Sequence, residues 1–392
     1  MVNGGEQVKA IGIVCEYNPF HNGHKYHIEQ AKKLSGSDAA VCVMSGSFVQ
    51  RGDIGVFDKW SRARTALENG ADLVIELPVW YVMQSADIFA MGAIEILSKS
   101  HLADSISFGC ENPDISAFIQ CGQILAGEDA TFKEEIKKLM GEGLGYPAAL
   151  RLCIQRLYPH LENIVATPNN MLGANYISAM IKCGMSPEAF VPVMRHTAPH
   201  DSEISDGVYA SSSQIRRILK DGGDPSALAP TDSSLPRYRI ENIESFILGF
   251  LRTCSPDRIR AVPGIEDGFE NRLISAAKKS SSLGELFENT VTKRYTLSRV
   301  RRTVLAATLG MDCGRKCDYV RILGMTDTGA ALIKESHGES ELEFVTKTAD
   351  FAPAAESTFD FDILATDIAA LACDDESLRA GGRDFYSSPI KI

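Results

Sequence analysis

No apolar run in this chain approaches the roughly 20 residues that a membrane span requires. Residues 1–8, MVNGGEQV, carry neither the basic stretch nor the apolar stretch of a secretory signal. The chain contains no internal repeat and no low-complexity tract. Basic residues are in deficit: 40 Lys and Arg against 51 Asp and Glu leave a net charge of −11, so any nucleic-acid contact must be a local basic patch on an acidic body. The ten cysteines lack metal-ligand grouping. Their one close pair, Cys313 and Cys317, has no second pair and no nearby histidine, which argues against structural zinc. Cys15, Cys42 and Cys153 lie inside apolar runs, the pattern of buried reduced thiols. These absences give a cytoplasmic expectation. The 392 residues, 44% hydrophobic and 23% charged, suit an ordinary globular protein of two domains or three.

What is there is concentrated near the start. Ile11–Val14 is a short apolar run with β-branched residues and predicts a buried strand. Asn18, Pro19, Asn22 and Gly23 predict a turn, and an amphipathic segment from about Lys25 predicts a helix. Strand, polar turn and helix in that order aim backbone N–H groups and the positive helix end at one point, a ready anion site. Further strand-like runs follow at Ala39–Phe48, Ala71–Pro78, Ser105–Gly109 and Glu188–His196. Helical patterns alternate with them at Asp58–Asn69, Ser85–Lys99, 114–160, Met171–Gly184 and Ser211–Gly223. The alternation predicts an α/β fold, a doubly wound parallel sheet with ligands beyond the carboxyl ends of its strands. Asp221–Arg237, rich in Gly, Pro, Ser and Asp, marks a boundary. It divides a catalytic domain, 1–225, from a mostly α-helical C-terminal domain, 236–392, in which no strand alternation is legible.

The first turn places His21 and His24 in an H-x-G-H pattern. Two imidazoles can donate hydrogen bonds to phosphate oxygens whose charge rises as pyrophosphate departs. Gly23 between them lets a nucleotide approach the backbone closely. The competing readings are a chance surface pair and a metal pair at i and i+3; position after the first strand favours nucleotidyl transfer. Arg195, followed by His196, ends a strand and could hold a phosphate or carboxylate bidentately, or close a surface ion pair. Ser211–Ser213 with Arg216 could cap a helix and also reach a triphosphate. Asn169 and Asn170 could cap a helix or read a base or ribose. Arg51, Lys59 and Arg62 are candidates for a second substrate, although helical periodicity puts Lys59 and Arg62 on a solvated face. Lys293, Arg294, Arg299, Arg301 and Arg302, around Tyr295, form the local basic cluster. They suit RNA phosphates, with a solvated helix face as the alternative.

Longer strings resemble one family. G-I-V-C-E-Y-N-P-F-H-N-G-H at Gly12–His24, S-G-S-F-V-Q-R-G-D at Ser45–Asp53 and D-K-W-S-R at Asp58–Arg62 are similar to those of the tRNA(Met) cytidine acetate ligases. So are G-A-D-L-V-I-E-L-P at Gly70–Pro78, F-G-C-E at Phe108–Glu111, P-N-N-M-L-G at Pro168–Gly173 and T-K-R-Y-T at Thr292–Thr296. The resemblance implies a nucleotidyltransferase-like domain that activates acetate with ATP. The acetyl-adenylate would acetylate N4 of the wobble cytidine of elongator tRNA(Met), releasing AMP and diphosphate, with Mg²⁺ escorting the triphosphate. Carried over by position, the ATP contacts are Val14, Cys15, Glu16, Tyr17, Asn18, Pro19, Phe20, His21, Asn22, Gly23, His24, Lys25, Tyr26 and His27, with Gly109, Asn169 and Arg195. His21 and His24 would assist adenylation. Two departures stand out: Ile54-Gly55 replaces the usual Pro-Ala, and Ser211-Ser212-Ser213-Gln214-Ile215-Arg216 replaces S-A-T-x-I-R while keeping hydroxyls and the arginine. The alternatives are a small-molecule adenylyltransferase using the same H-x-G-H logic, and a non-catalytic tRNA-binding protein.

Overall fold

The frame is built by strands whose two faces are both apolar. In β2 (Ala39–Ser45), Ala40, Cys42 and Met44 pack on one side with Ile28 and Ala31 of α1 (Asn22–Ser35) and Ala63, Ala66 and Leu67 of α2 (Lys59–Glu68). Val41 and Val43 face the other way, onto a larger core that includes Ile94, Phe118 and Ile177. Those three come from the helices Ala86–Ser100, Ile115–Gly127 and α3 (Pro168–Lys182). Side chains alternate across a strand, so a strand covered on both sides must be apolar at every position.

β1 (Ala10–Cys15) pairs in parallel with β2 and with β4 (Ser105–Cys110). β3 (Leu73–Leu77) flanks β2 and β5 (Phe190–Met194) flanks β4, both also parallel. β1 is therefore central, and its carboxyl end opens into the crevice where α1 begins. The computed structural model describes residues 8–127, 129–195 and 208–392; His196 lies outside them. No helix of the described residues is long and apolar enough to cross a membrane.

The C-terminal half is helical, as expected, but it also supplies strands that local patterning did not reveal. β6 (Tyr319–Met325) runs antiparallel beside β3. β7 (Glu343–Val345) and β8 (Ile390–Lys391) pair in parallel with β6. The sheet order is β8-β6-β3-β2-β1-β4-β5, with β7 branching from β6, so both halves of the chain share one sheet. Arg321 interrupts the apolar run of β6 and hides it in the sequence. Within the fold its charge meets Asp384 at 2.7 Å.

A two-stranded ribbon, Phe48–Val49 with Asp53–Ile54, carries the loop that follows β2. Its Gly52 has φ +76°, and a Cβ there would stand 2.5 Å from Arg301 Cβ and 2.6 Å from the Arg302 amide nitrogen. The ribbon thus lies backbone-close against α5 (Leu297–Leu309), the helix that carries most of the basic cluster. Only glycine meets both demands.

Candidate active site

His21 is the N-cap residue of α1, in extended conformation, and only 3% exposed. Its ring stacks on that of His24, with centroids 3.6 Å apart and planes 18° from parallel. The His21 backbone N–H donates to His24 Nδ1 at 3.3 Å. A neutral His24 must therefore carry its proton on Nε2, free to donate. His21 Nδ1 is buried and has no hydrogen-bond partner among the described residues. His27, one helical turn on, contacts Ser107 Oγ through Nε2 at 3.0 Å. Since the Ser107 hydroxyl donates to the Val191 carbonyl at 3.0 Å, it accepts from His27, which fixes that tautomer too.

All three rings are held neutral. Burial, with the nearby Arg195 charge, lowers His21 to about 3 and His27 to about 4. His24 is pushed well below its ordinary value by burial, then by His21, Arg195 and His27. The histidines thus act as hydrogen-bond donors, not as cations, until a negative ligand arrives.

The cation of the site is arginine. Arg195, just past β5, has its amide held by the Cys110 carbonyl at 3.0 Å and lies 4.0 Å from Glu111. Asn169 donates to the Gly109 carbonyl at 2.8 Å and to Glu111 Oε1 at 3.2 Å. Gly109 lacks the Cβ that would approach Arg195 Cγ to 3.3 Å. Gly109, Asn169 and Arg195, far apart in sequence, are therefore one cluster. From α4 (Ser212–Lys220), Arg216 donates to the Asn18 carbonyl at 2.5 Å and to Ser213 Oγ at 3.1 Å. Ser211 caps this helix, its side chain accepting from the Gln214 amide. Burial lowers both Arg195 and Arg216 from their ordinary values, and Arg51, exposed on the ribbon, adds a smaller like-charge push to each. Three guanidiniums thus surround the end of β1.

Not all of the span 14–27 faces this crevice. Phe20 is buried and its carbonyl accepts from Thr231 Oγ1 at 3.0 Å; Lys25 is exposed, and the Tyr26 ring lies 6.3 Å from Tyr209. Asn18 Oδ1 accepts from the Val56 amide at 2.8 Å. Asn22 gives its backbone N–H to the Leu228 carbonyl at 3.0 Å and its side-chain amide to the carbonyls of Val208 and Ala227. One amide of the helix N-terminus is thus spent on the segment after α4. Tyr17, at φ +46°, occupies the left-handed region that bulky side chains avoid, the kind of backbone strain that collects at functional sites.

Lys59 and Arg62 overturn the expectation of a solvated face. Lys59 is wholly buried, 2.8 Å from both Glu76 and Asp384. Arg62, 2% exposed, gives its guanidinium to backbone carbonyls: Phe57 at 3.1 Å, Glu16 at 2.6 Å, Ser45 at 3.1 Å, and Gly46. It staples the ends of β1 and β2 and cannot reach a second substrate. Helical periodicity scores both residues as polar, and their partners lie too far along the chain for local pattern to find.

The basic cluster divides. Arg294 and Arg299 share Glu266, and Arg299 also lies over the Tyr295 ring at 5.0 Å. Arg301 faces Asp53 at 4.0 Å, and Arg302 donates to the Gln50 carbonyl at 3.1 Å. Burial, then the Arg299 charge, lowers Arg302 to about 10. Lys293 is exposed. The cluster therefore abuts the ribbon that carries Arg51.

Residues 8–384 match the family described as HIGH Nucleotidyl Transferase. Proteins named tRNA(Met) cytidine acetate ligase from Acetivibrio thermocellus and Bacillus subtilis are each 34% identical to this chain and cover 98% of it. The alignments take in 100% and 97% of those proteins, respectively. The crystal structure of Thermotoga maritima TmcAL in its apo form superposes with a TM-score of 0.90 at 29% identity. The same protein bound with alpha-thio ATP gives 0.88 at 28%, and both comparisons cover 98% of this chain and 99% of that one.

Proposed function

Because the chain belongs to the tRNA(Met) cytidine acetate ligase family of HIGH nucleotidyl transferases, we propose that it joins acetate to ATP and passes the acetyl group to N4 of the wobble cytidine of elongator tRNA(Met). The observation that carries this reading is the convergence of Arg51, Arg195 and Arg216 with the stacked His21–His24 pair at the end of the central strand. Acetate is a poor electrophile. Attack of its carboxylate on the α-phosphorus expels diphosphate and yields a mixed anhydride with a good leaving group. The charge that grows on the departing phosphates meets guanidiniums and the His24 Nε2–H, donors positioned before the reaction starts.

Gly109, Asn169 and Arg195 suit the nucleotide on the β4–β5 side, and the unpartnered His21 Nδ1 suits a polar ligand group. Among the described residues no three His, Cys, Asp or Glu side chains converge as a metal cage. A Mg²⁺ ion would come with the triphosphate and keep mainly phosphate and water ligands. The guanidiniums cannot ligate it, and the carboxylates at the cradle that could face its waters are Glu16 and Glu111. The region 236–392, through Lys293, Arg294, Arg299, Arg301 and Arg302, is the RNA-facing side in this reading. Anticodon-loop bases unstack cheaply enough to bring the cytidine to the anhydride.

The test is incubation of the protein with ATP, isotopically labelled acetate and elongator tRNA(Met), followed by mass analysis of the tRNA nucleosides. The reading predicts labelled N4-acetylcytidine. Label that appears only when acetyl-CoA replaces acetate and ATP contradicts it.

A further inference from the structure

The five basic residues around Tyr295 form one cluster in the sequence, yet Arg302 is spent differently from the rest. Lys293 and Arg294 are exposed, Arg299 pairs with Glu266, and Arg301 faces Asp53. Arg302 is half-buried and donates to a backbone carbonyl of the ribbon, that of Gln50, at 3.1 Å. Its helix is well anchored, since Val300, Val304 and Leu305 of α5 are fully buried. The ribbon sits against the same helix at Gly52, where the missing Cβ leaves room for Arg301 Cβ and the Arg302 amide nitrogen. A guanidinium donor and a close backbone contact therefore hold the ribbon from the other half of the chain.

The ribbon in turn holds the turn that leads into the active site. The Gln50 N–H donates to Glu16 Oε1 at 2.6 Å. Just beyond the ribbon, the Val56 N–H donates to Asn18 Oδ1 at 2.8 Å. Glu16 and Asn18 flank Tyr17, the residue at φ +46°. A bulky side chain keeps such a conformation only where its surroundings over-determine it, and the ribbon supplies one restraint on each side. The same turn presents the Asn18 carbonyl to Arg216 and runs into His21, the N-cap of α1.

We infer that Arg302 is a positioning residue of the ATP site. Through Gln50 it keeps the ribbon, and with it the Glu16–Asn18 turn, in the form that sets His21, His24 and Arg216 around the phosphates. This rests on the acetate-ligase reading above and narrows its RNA-facing set by one residue. Arginine suits the task because its planar fork is pre-organised and keeps its charge when half-buried, whereas a lysine holds a carbonyl from a flexible stem.

The experiment compares wild type with Arg302→Gln and Arg302→Lys in the full chain. Equilibrium ATP binding and acetate-dependent ATP–pyrophosphate exchange are measured without tRNA, and tRNA binding is measured over a salt series. Arg302→Gln should weaken ATP binding and lower exchange at least about 10-fold, since a misplacement of about 1 Å at a reacting centre can cost about 100-fold. The salt slope of tRNA binding should be unchanged. Arg302→Lys keeps a donor for the Gln50 carbonyl and should recover part of the loss. Glu16→Ala removes the acceptor that Gln50 serves, so Arg302→Gln added to it should cost clearly less than it does alone; a purely structural defect would add in full and overturn the assignment. Gly52→Ala drives a Cβ into the seat on α5 without altering a charge, and should also lower exchange. If Arg302→Gln fails to fold, Arg302→Lys and Gly52→Ala carry the same comparison. ATP binding and exchange left intact would overturn the assignment, and a reduced salt slope alongside them would give Arg302 to RNA. Absence of acetate-dependent exchange in the wild type would sink the ligase reading, while the ATP-binding comparison would still decide the role of Arg302.

Discussion

The neutral histidine pair makes a quantitative claim about pH. His21 has an ordinary value of 6.5 and is held at about 3 in the fold by burial and by Arg195. Its folded-state value is depressed, so its neutral form contributes stability that is fully present above pH 6.5. That contribution is lost as pH falls, because the unfolded chain takes up a proton that the folded chain refuses. The loss approaches about 1.4 kcal/mol per pH unit and ends near the folded-state value. At pH 5 it amounts to about 2 kcal/mol for His21 alone. The perturbation is His21→Asn, which keeps a competent N-cap for α1 and removes the titration. Urea denaturation of wild type and variant at pH 8, 6 and 5 should show the wild type losing about 2 kcal/mol more than the variant across that range. The same linkage reaches the ligand: a triphosphate set against the rings raises their values, so ATP affinity should increase as pH falls, and less so in the variant. A difference between wild type and variant that is constant from pH 8 to 5 would refute the reasoning.

Lys59→Met leaves Glu76 and Asp384 without their shared cation in a dry site, and should cost about 3–5 kcal/mol of stability at neutral pH; denaturation midpoints measure it, and a decrease below about 1 kcal/mol would contradict the buried-network account. His24→Ala removes the ring whose Nε2–H faces the crevice, and should abolish acetyl-adenylate formation while tRNA binding is nearly intact; simultaneous loss of both would make the histidine structural. Replacing Lys293, Arg294 and Arg301 together by Ser should weaken tRNA binding uniformly and flatten its salt dependence by about one unit of log–log slope for each RNA phosphate that the protein no longer neutralises. An unaltered slope would mean that these residues are only a solvated edge.

The opening strand–turn–helix was legible because its signals are local: β-branched residues, then Asn18-Pro19, then an amphipathic segment from about Lys25. The helix itself begins at Asn22, so Asn22 and Gly23 form its first turn rather than the preceding turn. The next strands were legible for the same reason, each an apolar run closed by turn residues. β6 was not, since Arg321 breaks its run and its neighbour β3 lies in the other half of the chain. The largest misreading was of Lys59 and Arg62. Charge on an amphipathic helix means solvent when no partner is in view, and Glu76, Asp384 and the carbonyls of Glu16 and Ser45 come into view only with the fold. Glu16 illustrates the converse. The motif placed it in the nucleotide span, but its link through Gln50 to Arg302 joins residues far apart in sequence, and no spacing rule encodes it.

The central claim, that the cluster at the end of β1 activates acetate, is tested most directly by ATP–pyrophosphate exchange in the absence of tRNA. Exchange that requires acetate and fails in His24→Ala is the result predicted. Exchange that ignores acetate and responds only to a phosphorylated metabolite would contradict it.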